Sequence, residues 1–126
     1  MVIQYPIFIT AKDDPRIEML SNDKDLGKYD DIDIEDSVFF GWTADGLPFE
    51  LYLDKKKIKV RLLSTEPQLN KLKESILNYV KLARPKSTFI YSGPEDNVIE
   101  LFKAAEKHIQ EGKVSFKLKR FIKGQK

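Results

Sequence analysis

The feature that most constrains the fold of this chain is a change of hydrophobic period partway along it. Between Ser37 and Leu63 apolar side chains recur at every second residue; from Leu69 onward they recur at every third and fourth. The first spacing alternates side chains across the two faces of a strand, and the second gathers them on one stripe of a helix. A chain that does both, in two blocks, points to an α+β fold.

In the first block Ser37–Thr43, Leu47–Leu53 and Ile58–Leu63 read as three consecutive strands, a meander. Asp45-Gly46 suits the tight turn after the first, and Asp54-Lys55-Lys56-Lys57 has hairpin length. Leu47, Phe49, Leu51 and Leu53 alternate with Pro48, Glu50 and Tyr52, while Ile58, Val60 and Leu62 alternate with Lys57, Lys59 and Arg61. Each strand therefore has one apolar and one more polar face. Ahead of them, residues 2–10 read as a strand, Asp13-Asp14-Pro15 as a turn and Arg16–Leu20 as a return strand. Ser21–Tyr29 suits a short helix capped by Ser21 or Asn22.

In the second block Thr65-Glu66-Pro67-Gln68 carries a helix start, with Thr65 as cap and Gln68 closing a capping box. Leu69, Leu72, Ile76, Tyr79, Val80 and Ala83 form its apolar stripe up to Arg84-Pro85. Ser87–Tyr91 is expected as a short strand, and Ser92-Gly93-Pro94-Glu95 as the start of a second helix. That helix carries Val98, Leu101, Phe102, Ala105 and Ile109 and ends before Gly112. Val114, Phe116 and Leu118 then alternate with Ser115, Lys117 and Lys119 as a last strand. The order β-β-(α)-β-β-β-α-β-α-β gives a two-layer sandwich: a mostly antiparallel sheet with an N-terminal meander and two C-terminal helices on one face. Direct pairing among Ile58–Leu63, Ser87–Tyr91 and Val114–Leu118 would instead make that part βαβαβ with parallel strands.

At 126 residues the chain is the size of one domain, so residues 1–126 are expected as a single α+β domain. Without cysteine it has no disulfide framework, thiolate metal site or cysteine nucleophile, and one histidine rules out multi-His metal sites. Neither a membrane-spanning apolar run nor a signal peptide is visible, and the expected location is the cytoplasm.

The charge is divided unevenly. Residues 1–54 hold 13 acidic against 4 basic residues, a net of −9, and residues 55–126 hold 7 against 18, a net of +11. The carboxylates concentrate in 23–36, at Asp23, Asp25, Asp30, Asp31, Asp33, Glu35 and Asp36; the cations concentrate in 113–126. Such asymmetry speaks to charged partners.

Candidate sites follow from these patterns. As an EF-hand loop from Asp31, the acidic run puts Asp36 where glycine belongs and Trp42 where the bidentate glutamate belongs, so no metal is assigned to it. It reads as a solvated edge or as a docking surface for a basic partner. Tyr91-Ser92-Gly93-Pro94-Glu95 has the form of an anion-binding loop, but Glu95 and Asp96 in its first turn would repel a phosphate. His108 has no Ser or Asp near it in sequence and reads as a flanking histidine, and no carboxylate pair, Asp45 and Glu50 included, stands out for acid–base work. No catalytic residue, cofactor or metal is assigned, and the chain is not expected to be an enzyme.

The leading expectation is a small non-catalytic binding module acting by protein–protein contact, with an oligomeric state the sequence leaves open. Asp30, Asp31, Asp33, Glu35 and Asp36 would steer a partner with a basic surface, and Trp42 and Tyr52 would anchor it from an aromatic-bearing sheet face. Bacterial inhibitor or immunity-type proteins fit that description by analogy. The alternative is a nucleic-acid-binding protein using segment 113–126, with Lys117, Lys119, Arg120 and Lys123 on phosphates and Phe121 stacked on a base. Lys55, Lys56 and Lys57 would join that surface. The same C-terminal segment also fits an edge strand protected by its lysines.

Overall fold

A computed structural model describes residues 3–29, 34 and 38–124, with the backbone alone for 28 and 113–124. Five strands are present, β1 (Ile7–Ala11), β2 (Asp14–Leu20), β3 (Phe39–Thr43), β4 (Pro48–Asp54) and β5 (Lys57–Leu62), together with a 3-10 helix (Asp23–Lys28). Two α-helices follow, α1 (Leu69–Ala83) and α2 (Val98–Gly124). The fold is α+β, with a five-stranded sheet of order β2-β1-β3-β4-β5 in which every pairing is antiparallel. The chain divides into two compact units, Met1–Ser75 and Ile76–Lys126, the boundary falling inside α1.

In the first unit the register sorts side chains onto two faces. Ile7, Ile9, Leu20, Phe49 and Leu51 share one face and are buried together with Leu26 of the 3-10 helix and with Ile34. Phe39, Leu53, Ile58, Val60 and Leu62 extend this core toward β5. The 3-10 helix touches both outer strands, β2 and β5, so the N-terminal region covers this face. Asn22 caps that helix by accepting from the Lys24 N–H at 3.0 Å, the role its sequence position suggests.

The opposite face carries Phe8, Phe40, Trp42 and Pro48, set beside one another by the pairs Phe8–Trp42 and Trp42–Pro48. It ends in charged side chains at β4 and β5. The Asp45-Gly46 turn forms as expected, with the Gly46 N–H donating to Thr43 O at 2.9 Å. The entrance of α1 docks on this turn, because the Gln68 N–H donates to Gly46 O at 2.7 Å. The expected capping box does not form. Ser64 Oγ, rather than Thr65, accepts the Glu66 N–H, and the Gln68 side chain is taken by the Trp42 indole.

Two expected strands are absent, and each has a physical reason. Residues 87–91 adopt no regular structure. The ring of Phe89 lies against His108 at 5.2 Å and the Tyr91 hydroxyl donates to Pro94 O, so these residues make local contacts instead of pairing with a strand. Nor is Val114–Leu118 a strand, since α2 runs through Gly112 to Gly124. Val114, Leu118, Phe121 and Ile122 satisfy helical spacing as well as the alternation of Val114, Phe116 and Leu118, and a short run cannot separate the two periods. One interior glycine costs a helix only about 1 kcal/mol, too little to end it. The second helix also begins later than Ser92-Gly93-Pro94-Glu95 suggests, because Asn97 is its cap, Oδ1 accepting the Glu100 N–H at 3.1 Å. With both strands absent, the parallel βαβαβ alternative does not occur among the described residues.

Candidate functional site

The edge strand β5 and the hairpin that delivers it form the most developed surface of the first unit. The turn works because Lys55 (φ 51°) and Lys56 (φ 69°) both take the left-handed conformation, the geometry of a two-residue turn matched to strand twist. Glycine or asparagine does this with little strain, whereas two lysines must be held there by the pairing on either side.

Antiparallel pairing then fixes which backbone groups of β5 are used. Leu63 N–H donates to Pro48 O at 2.9 Å, so by strict alternation Lys57, Lys59 and Arg61 turn their N–H and C=O toward β4. Ile58, Val60 and Leu62 turn theirs outward, where no strand pairs with them among the described residues. Their side chains lie on the core face and stay partly exposed, and Val60 and Leu62 line an open groove with Ile3, Leu63, Ser64 and Thr65. Leu63 is 56% exposed.

On the other face Lys57, Lys59 and Arg61 are exposed. Lys59 Nζ lies 2.8 Å from an Asp54 oxygen, and this contact raises the lysine's pKa. Arg61 Nε is 3.8 Å from Glu50, and its guanidinium stacks over the Tyr52 ring at 4.2 Å. Five cations, Lys55, Lys56, Lys57, Lys59 and Arg61, thus meet two carboxylates, and the strip remains positive.

A second cluster joins the end of α1 to α2 within the second unit. The Arg84 guanidinium donates from Nη1 to His108 O at 2.8 Å. Ser87 Oγ donates to Arg84 O at 2.9 Å and lies 2.9 Å from His108 Nε2. A serine and a histidine at this distance have nucleophile–base geometry. The serine hydroxyl is also engaged by the Arg84 carbonyl, and Arg84 Nη1 lies 3.5 Å from the same Nε2. Among the described residues no carboxylate hydrogen-bonds to His108 to complete a triad. This cluster is a brace between a helix end and a helix side.

The other sequence candidates fall as follows. Trp42 is only 6% exposed and donates Nε1–H to Gln68 Oε1 at 3.2 Å, so it belongs to the interior and does not project as an anchor. Tyr52 is half-buried under Arg61. The acidic residues Asp30, Asp31, Asp33, Glu35 and Asp36, and the side chains of Lys117, Lys119, Arg120, Phe121 and Lys123, lie outside the described residues; the latter five sit on helical backbone. At Gly93 a β-carbon would collide with the Tyr91 hydroxyl oxygen, so this glycine makes room for an aromatic ring rather than an anion. Burial, Glu100 and Asp96 all raise the Tyr91 pKa.

The alternation of Lys57, Lys59 and Arg61 with Ile58, Val60 and Leu62 is plain in the sequence, but the position of this strand at the sheet edge is not. Among the described residues no group of three or more His, Cys, Asp or Glu is placed to hold a metal ion, and no helix is long and apolar enough to cross a membrane. Comparison with protein-family models, curated proteins and solved structures finds no match.

Proposed function

We propose that this chain is a small non-catalytic binding module that works by protein–protein contact, with the β4–β5 edge as its contact surface. The observation that carries this reading is the outer side of β5, which no strand pairs with among the described residues, apolar on one face and basic on the other.

Nucleic-acid binding is the competing reading, and the hairpin argues against it. Asp54 and Glu50 already neutralise part of the basic strip, and Arg61 covers the Tyr52 ring that would stack on a base. A photo-cross-linking residue at position 57 or 59, with position 81 as the control, separates the two in cells. Discrete, nuclease-resistant protein adducts from 57 and 59 and not from 81 support the reading. Nuclease-sensitive adducts, or equal labelling from all three positions, would overturn it.

A further inference from the structure

We infer that the partner adds to β5 as a sixth, antiparallel strand whose residues alternate between acidic and apolar. This inference rests on the reading of β5 as the contact surface and specifies what lies on it.

Strand addition needs unpaired backbone groups, and Ile58, Val60 and Leu62, which no strand pairs with among the described residues, supply them at every second residue. A strand in register places one set of side chains opposite Ile58, Val60 and Leu62, beside the groove that Ile3 and Leu63 extend. Its other set falls opposite Lys57, Lys59 and Arg61. Directly opposed unlike charges stabilise such a pair and like charges destabilise it, so the second set is acidic. The same rule disfavours a second copy of β5 as occupant, since lysine would then meet lysine or arginine across the new ladder. This chain does contain an acidic–apolar alternation, Asp31-Ile32-Asp33-Ile34-Glu35, but Ile34 is 3% exposed within the core of its own unit. The occupant we infer, from the charge of Lys57, Lys59 and Arg61, is an extended acidic segment of a different protein.

The test uses the full-length, isotope-labelled chain and a synthetic peptide alternating glutamate and valine. Three counterparts serve as controls: one with lysine for glutamate, one N-methylated at the valines and one N-methylated at the glutamates. In antiparallel addition the valine N–H groups point at β5 and the glutamate N–H groups point away. The Glu–Val peptide is expected to slow hydrogen exchange at the Ile58, Val60 and Leu62 amides. Lysine replacement or valine N-methylation should weaken binding by about tenfold or more, and glutamate N-methylation should change it little.

Peptide binding without new amide protection, or indifferent to valine methylation, would overturn strand addition while leaving the β4–β5 surface as a contact site. Salt-sensitive binding of oligonucleotides with none of the peptides would overturn both. Protection of the same amides by self-association at rising protein concentration would give the edge to a second copy and overturn the assignment to another protein.

Discussion

Arg84 lies flat across α2 at Gly112. A β-carbon at Gly112 would stand 2.5 Å from Arg84 Nε and 2.7 Å from its Cδ, and the same guanidinium reaches His108 O at 2.8 Å, one helical turn back. The glycine that looks in sequence like a helix end is thus the gap through which the last residues of α1 are tied to the middle of α2.

That relationship predicts a reversal of sign. Gly112→Ala should destabilise the protein by about 1 kcal/mol, because displacing Arg84 forfeits a charged hydrogen bond worth about 1.5–3 kcal/mol against a helix-propensity gain near 1 kcal/mol. In an Arg84→Ala background the same substitution should stabilise by about 0.5–1 kcal/mol. Urea unfolding of the four proteins in the cycle measures the coupling.

The contact between Trp42 and Gln68 makes a second prediction, at the entrance of α1. Gln68→Ala leaves a buried indole N–H unpaired and should cost about 1–3 kcal/mol. Thr65→Ala should cost less than about 0.5 kcal/mol, since Thr65 does not cap the helix. Trp42 is the sole tryptophan, so its fluorescence reports unfolding in both variants.

The Lys55-Lys56 turn predicts an easy gain. Lys55→Asn with Lys56→Gly relieves two left-handed lysines and should stabilise the protein by about 1 kcal/mol. Binding through Lys57, Lys59 and Arg61 should survive this pair of changes, which a thermal melt and a peptide titration check together.

Tyr29 predicts the behaviour at high pH. Its pKa is raised, first by burial and then by Glu18 and Asp25, above the ordinary tyrosine value of 10.0. Above pH 10 the unfolded chain loses this proton while the folded chain keeps it, so the folded state binds more protons and stability falls as pH rises. Tyr29→Phe should flatten that part of the stability profile between pH 10 and 11.5, as read by equilibrium unfolding across the range.

The meander was legible because its strands are half-buried. Leu47 to Leu53 and Ile58 to Leu62 must alternate if one face is to meet a core, and their turns carry recognisable residues. The stretches 87–91 and 114–118 misled because a few alternating apolar residues fit a strand, a helix or a loop held by side chains. Three contacts decided them: Phe89 with His108, Tyr91 with Pro94, and Arg84 across Gly112. Trp42 could be placed on a sheet face but not inside or outside, since that depends on what covers the face. The chemistry of β5 was visible residue by residue, whereas its edge position emerges only from the order β2-β1-β3-β4-β5.

Amide hydrogen exchange of the free protein, resolved by residue along β5, tests the central claim most directly. An open edge predicts that the Ile58, Val60 and Leu62 amides exchange about two orders of magnitude faster than those of Lys59 and Arg61, which bond to β4. Equal protection along the whole strand would mean that the edge is already occupied in the isolated chain, and would contradict the account.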